Sequence, residues 1–415
     1  MASALAAAAP WPVAHGSFIQ EYLCKDWSDE KWQSEFRYLG EAGMSVLIFG
    51  SAANSQKHIA YYPTRLDGYK CAEGYGDLVD ACLRNAARAN FQVFIGLNFH
   101  EDWWRKSAND PQWLFAQMEE GNRIADELYA RYKQRYPREF AGWYWVWEAD
   151  NLNFKQPKQR ATLAKALDIS VTHLHALDTT MPVMLCPFMN RMCGGADEYG
   201  DFWKDIFANC SLGRGDIFCP QDCVGGGGLR LEDVPAWFGA MGKAVATKPG
   251  LRFWCDTETF AQSDWTAGTI DRFVKQIEIV APFVEKSVTF AYCHYYSPNN
   301  VDAGFHRTYL KYVRTGHLDK TPPDAPANPR IERLDKSRTR LDWQASTDNI
   351  GVCGYDIYRN GERITRHQTP RLPEAAGFTP ASYTDTDATP TLLRYRIEAY
   401  DFAGNHSPAV EITAP

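Results

Sequence analysis

Two short segments of this chain share one design. Gly142-Trp-Tyr-Trp-Val-Trp-Glu-Ala-Asp-Asn151 begins as an uncharged aromatic and β-branched run and then switches to Glu148, Asp150 and Asn151. Arg252-Phe-Trp-Cys-Asp-Thr-Glu258 repeats the pattern, a short apolar run closing in acid. Runs of this composition predict buried strands. A carboxylate at the end of such a strand belongs at the C-terminal mouth of a parallel α/β barrel, where that fold places its chemistry. Two carboxyls on one rim, Glu148 and Glu258, are the pair that hydrolysis of a glycosidic bond requires.

The rest of the chain supplies elements to position them. Apolar runs at 18–22, 46–50, 92–98, 182–188, 216–222 and 287–294 join the two segments above to make eight predicted strands. Each is followed by a stretch with helical signals, at about 28–42, 76–89, 110–136, 157–177, 199–208, 234–246, 265–281 and 305–313. Strict alternation of this kind predicts a closed, fully parallel (β/α)8 barrel, the TIM barrel of the α/β class, over residues 17–320. Residues 1–16 read as an N-terminal arm.

On that layout the strand exits form a ring of polar and aromatic groups, which makes a cleft. The candidate substrate contacts are Glu21, Asn98, His100, Asp150, Asn151, Gln221, Asp222, Asp256 and His294, with Trp103 a candidate stacking platform beside Trp104 and Trp265. Side chains alternate along a strand, so Asp256 shares a face with Glu258, one pleat deeper, and is expected to be a hydrogen-bonded anchor. The Gly225–Gly228 run reads as a rim loop without the lysine or spacing of a phosphate loop.

Composition bounds the partners. The chain has 415 residues, a net charge of -7, and 14% aromatic residues, among them 14 Trp and 21 Tyr. Half-exposed rings of that number suit stacking on sugars, whereas the negative balance argues against nucleic acid and anionic membranes. No apolar run reaches the ~18 residues of a membrane span. The eleven cysteines are scattered without a CxxC, so no metal site and no cofactor are expected. Cys193, Cys210 and Cys223 fall in predicted loops and could contribute a disulfide in an exported protein. A secreted or periplasmic monomer with a carbohydrate substrate is the expectation.

Residues 321–329 form a proline-rich linker. Beyond it, at 330–415, the pattern changes to short alternating strands with Trp343 buried and Asn360-Gly361 as a hairpin turn, which predicts a small all-β, immunoglobulin-like sandwich. "YRIEAYDFAGNHSP" resembles the last strands of a fibronectin type III module. The module shows no cluster of spare aromatics, so a spacer, dispensable for chemistry, is expected.

An eight-fold barrel with a glutamate closing strand 4 and another closing strand 7 resembles the clan-A glycoside hydrolases, in layout, from residue 17 to about 318. "GSFIQEY" near the N-terminus and the "FWCDTE" strand also look like a little-characterised family of barrel glycosidases. The resemblance implies Glu148 as acid/base, Glu258 as nucleophile and a retaining reaction on a poly- or oligosaccharide. Tyr296 is then a candidate hydrogen-bond partner of the nucleophile. One position departs: clan-A enzymes carry Asn immediately before the acid/base, and here that residue is Trp147. Asn151, Asn98 or His100 could replace its bond to the sugar 2-hydroxyl. Two other readings share these residues. A metal-dependent sugar isomerase or lyase could use His100, Glu148, Asp222, Glu258 and His294 as ligands, and a non-catalytic barrel could use the acids to hydrogen-bond hydroxyls.

Overall fold

The computed structural model of the protein describes residues 10–213, 215–370, 372, 378–388 and 392–414, so residues 1–9 of the expected arm lie outside the described residues. Eight strands carry the fold: β1 (Gly16–Ile19), β2 (Val46–Phe49), β3 (Gln92–Gly96), β4 (Phe140–Trp145), β5 (Val183–Leu185), β6 (Ile217–Phe218), β7 (Arg252–Glu258) and β8 (Lys286–Phe290). Every neighbouring pair is parallel, and β8 pairs with β1 to close the barrel. The helices that follow these strands in the chain are α1 (Asp29–Glu41), α2 (Leu78–Ala89), α3 (Pro111–Leu128), α4 (Pro157–Leu177), α5 (Ala196–Ala208), α6 (Val234–Val245), α7 (Ile270–Val280) and α8 (Ala303–Thr315). The expected (β/α)8 order is present.

Local chemistry explains these elements. Ser28 accepts the Lys31 amide at the start of α1, whose Trp32, Phe36 and Leu39 turn inward. Asp77 and Asp110 cap α2 and α3 in the same way, and Asn90 ends α2 in the left-handed conformation that Asn tolerates. The barrel interior is aromatic. Phe18 of β1 meets Tyr144 of β4 edge-on at 5.2 Å and Phe290 of β8 at 5.7 Å, while Phe94 of β3 meets Trp254 of β7 at 6.2 Å. Such contacts fill a barrel centre with few bulky rings.

Several boundaries differ from the sequence expectation. The first strand stops at Ile19, and Glu21 opens a short helix, Glu21–Cys24. The last barrel strand stops at Phe290, so His294 lies on a short helix, Tyr292–Tyr295. The helix expected from 265 starts at Ile270, because residues 260–267 form a β-hairpin. Asp264 accepts the Thr266 amide at 3.3 Å and its hydroxyl at 2.7 Å. A short acid that offers the backbone a turn competes with helix formation.

Among the described residues, seven antiparallel strands follow: β9 (Ala327–Arg333), β10 (Thr339–Gln344), β11 (Val352–Arg359), β12 (Glu362–Gln368), β13 (Ser382–Asp385), β14 (Leu393–Asp401) and β15 (Val410–Ala414). They form two sheets, β9-β10-β13 and β12-β11-β14-β15. Leu341, Trp343, Tyr355, Ile357, Tyr395 and Ile397 make their core. Asn360 and Gly361 both take positive φ, 50° and 92°, as a two-residue hairpin turn requires. By proximity the chain groups into two compact units. One holds Pro12–Thr259 and Lys275–His294, with all eight barrel strands; the other holds Phe260–Val274 and the chain from Tyr295 onward.

Candidate active site

Glu258 is the last residue of β7 and is 3% exposed. Its carboxylate accepts the Gly226 amide at 2.5 Å. An alanine Cβ at Gly226 would stand 3.3 Å from the other carboxylate oxygen, so the loop after β6 presses its backbone onto this acid. Asp222 organises the same loop. It accepts the Val224 amide at 3.1 Å, the Glu258 amide at 3.3 Å and the Gln276 side chain at 2.6 Å, and Gln276 also donates to the Glu258 carbonyl at 3.0 Å. Both ends of the Glu258 residue, backbone and carboxylate, are therefore held by hydrogen bonds.

Glu148 comes from the coil after β4, which ends at Trp145, three residues earlier than the acid. The carboxyl is half-buried. Burial pushes its pKa up to about 7; the Gln221 amide opposes the rise and the nearby Asp150 charge adds to it. Asp256 is buried and its pKa is raised well above the usual carboxylate range, by burial first and then by Glu258, Asp222 and Glu148. The Cys223 thiol is raised by burial and then by the charges of Glu258, Asp222 and Glu148. One buried carboxyl and one thiol thus both lie within electrostatic reach of Glu148 and Glu258.

The other candidates divide. Glu21 is half-buried, with Ser51 Oγ 3.5 Å away and Tyr61 donating to it; burial raises its carboxyl. Gln221 bonds Glu148 and also donates to the Cys186 carbonyl at 3.3 Å. His294 accepts the Gln20 amide through Nε2 at 3.2 Å, with Tyr22 3.4 Å from Nδ1. His100 is half-buried, its Nδ1 accepting the Asp102 amide at 3.1 Å.

Five candidates make contacts that build packing or loop structure. Asp150 accepts the Leu152 and Asn153 amides, both at 2.6 Å, and so builds the turn after Glu148. Asn151 pairs with the backbone of Asn190 in both directions at 3.0 Å. Asn98 donates to Ser55 and to the Gln117 carbonyl. Trp103 has no exposure and packs on Trp145, Trp147 and Phe154, so it cannot offer a face to a ligand. Tyr296 is buried, with its hydroxyl donating to the Gly268 carbonyl at 2.8 Å.

Two contributors escaped the sequence reading. Gly226 lies in the glycine run whose sequence predicts only a rim loop. Gln276 is a polar residue at 1% exposure on the buried side of α7, between Phe273 and Ile277; a polar residue on an apolar helix face was its available signal. Among the described residues no two cysteines are joined in a disulfide, Cys193, Cys210 and Cys223 included. Nor do three or more His, Cys, Asp or Glu side chains among them form a group able to hold a metal ion.

Comparison with known proteins agrees with this architecture. The crystal structure of "a putative alpha-L-fucosidase" from Bacteroides thetaiotaomicron superposes on 75% of this chain and 97% of its own, with a TM-score of 0.59 and 18% identity. Chitinase Chi52 of Paenibacillus xylanexedens is 30% identical over 188 residues, 41% of this chain and 32% of its own length. Alpha-amylase of Niallia circulans is 41% identical over 102 residues, 23% of this chain and 7% of its own. The chain thus spans a third or less of these curated relatives. One family model covers the barrel strands and both acids, matching residues 14–302. By that match the chain belongs to the family described as "Domain of unknown function (DUF4434)".

Proposed function

We propose that this protein is a retaining glycoside hydrolase in which Glu148 is the acid/base and Glu258 the nucleophile. The observation that carries the reading is the contrast between the two carboxyls. Glu148, its pKa pushed up to about 7 by burial, keeps a proton in a large share of molecules at neutral pH and can donate it to a glycosidic oxygen. The Glu258 carboxylate, bonded to the Gly226 amide, is oriented as an anion by a donor that favours its charged form. Glu258 would attack the anomeric carbon as Glu148 protonates the leaving oxygen; Glu148, now a base, would then activate the water that releases the sugar. The relatives named chitinase and alpha-amylase support the same class, with a poly- or oligosaccharide substrate. Among the described residues no helix is long and apolar enough to cross a membrane. In this reading residues 17–320 are the catalytic barrel, 321–329 the linker and 330–415 a fibronectin type III-like module.

Amide substitution at each acid tests the assignment. Glu258→Gln cannot form the glycosyl-enzyme, and turnover should fall by several orders of magnitude on every substrate. Glu148→Gln should lose far less on an aryl glycoside with a good leaving group, which needs little protonation, than on a natural glycan. Added azide should restore its turnover as a glycosyl azide of retained configuration. Near-normal rates for both variants on a confirmed substrate would remove both residues from the mechanism.

A further inference from the structure

The hairpin that follows β7, with strands Phe260–Ala261 and Thr266–Ala267, displays Trp265 at its turn. Trp265 is 61% exposed. Its indole lies nearly parallel to the Phe260 ring, 5.5 Å between centroids and 13° between planes, and Phe260 stacks in turn on Tyr295 at 5.8 Å. The backbone of Trp265 has φ 54°, a left-handed conformation that a bulky residue seldom takes. A large apolar ring is thus kept in an uncommon conformation with most of its surface open to water. Strain of this sort persists where the surroundings impose it and clusters at binding sites.

The surroundings impose it here. Gln368 of β12 accepts the Ala267 amide at 3.0 Å and donates to the Ala267 carbonyl at 3.1 Å, so one side chain of the sandwich brackets one hairpin residue. Tyr296 donates to the Gly268 carbonyl at 2.8 Å, Arg272 to the Phe260 carbonyl at 2.7 Å, and the Ile270 amide to the Phe402 carbonyl of the sandwich at 3.0 Å. The hairpin and all of these partners belong to one compact unit.

We propose that the Trp265 hairpin is a sugar-stacking platform, held in shape by the C-terminal sandwich, that takes one pyranose ring of a glycan. An indole face is electron-rich and attracts the C–H face of a pyranose, while the hydroxyls at the ring edge stay in water. Phe260 lies two residues beyond Glu258, so the chain that ends in the nucleophile continues directly into the platform. The proposal rests on the glycosidase reading for its class of ligand. It also assigns the sandwich a task other than spacing.

Binding to the full-length Glu258→Gln protein tests it, read by calorimetry with cellohexaose, mannohexaose, xylohexaose and chitohexaose. Adding Trp265→Ala should weaken the tightest of the four by roughly tenfold, and Trp265→Phe should keep most of the affinity. Gln368→Leu should speed amide exchange across residues 260–270 and weaken binding in the same direction. Undiminished affinity in Trp265→Ala, or no binding of any of the four, overturns the platform. Unchanged exchange in Gln368→Leu overturns the role of the sandwich. A wild-type protein that binds one of them but releases no product from any glycan would sink the hydrolase reading and leave the platform standing.

Discussion

Glu148 and Glu258 are the same residue type in different surroundings: burial raises the Glu148 carboxyl, and the Gly226 amide donates to that of Glu258. The Glu148 pKa of about 7 lies above the ordinary 4.5, so the folded state holds this proton more tightly than the unfolded chain does. The stability this contributes is whole below the unfolded pKa and is lost as pH rises through the folded one. The difference is worth on the order of 3 kcal/mol at most. Glu148→Gln has no proton to lose. Between about pH 4.5 and 8 the wild type should therefore forfeit up to about 3 kcal/mol more than the variant in urea unfolding. Parallel stability profiles would mean that the carboxyl titrates normally. The pH dependence of kcat/KM carries the same signature: it should fall above about pH 7 in the wild type, as the acid deprotonates.

At the scale of elements, the end of β7 is held from two sides. Asp222, on the loop after β6, and Gln276, in the middle of α7, bond each other and the two peptide groups flanking the Glu258 side chain. Asp222 also fixes the turn that returns the Gly226 amide to the carboxylate. Gln276→Leu removes two donors at little change in volume. We expect it to cost about 1–3 kcal/mol in urea unfolding. It should also lower kcat with KM nearly unchanged, because Glu258, the proposed nucleophile, would be misplaced while the other contacts stay intact. A fall in stability with kcat unaltered would reduce the Gln276 contacts to packing. The strands were legible in the sequence because a barrel strand is an apolar run. Their exact ends were not, because Glu21 and His294 sit on short helices whose residues continue the polar tone of the exits.

For the whole molecule, the sandwich is more than an appendage. Phe402 packs edge-on against Phe305 of α8 at 4.9 Å, and a Cβ on the neighbouring Gly304 would lie 2.2 Å from its ring. Asn349 and Asn405 both bond Asp319, just ahead of the proline-rich segment, and the Asp324 amide bonds the Thr347 carbonyl inside it. The segment is thus tied down rather than a free tether, and a module expected to be dispensable shares hydrogen bonds with residues 267–270. Deleting residues 322–415 should raise amide exchange over 260–274 and 303–315 and lower the melting temperature of the remainder. A truncate that melts and exchanges like the full chain would restore the view of the module as a spacer.

The (β/α)8 barrel and the all-β character of the C-terminal segment were determined by the sequence alone, because apolar periodicity is a local signal. What only the tertiary structure decided are the partners. Asn98, Asn151 and Trp103 look like ligands in sequence because polarity or aromaticity at a strand exit does not say which way a side chain turns. Asn98 and Asn151 donate to Ser55 and to the Asn190 carbonyl, and Trp103 packs on Trp147. Gln276 and Gln368, distant in sequence from what they hold, gained their roles when folding brought α7 to Asp222 and β12 to Ala267. A local pattern shows which residues can carry a charge or a ring, whereas pKa and exposure belong to the space around them. The Glu148 carboxyl gained its raised pKa, and Trp265 its exposure, only once the chain had closed.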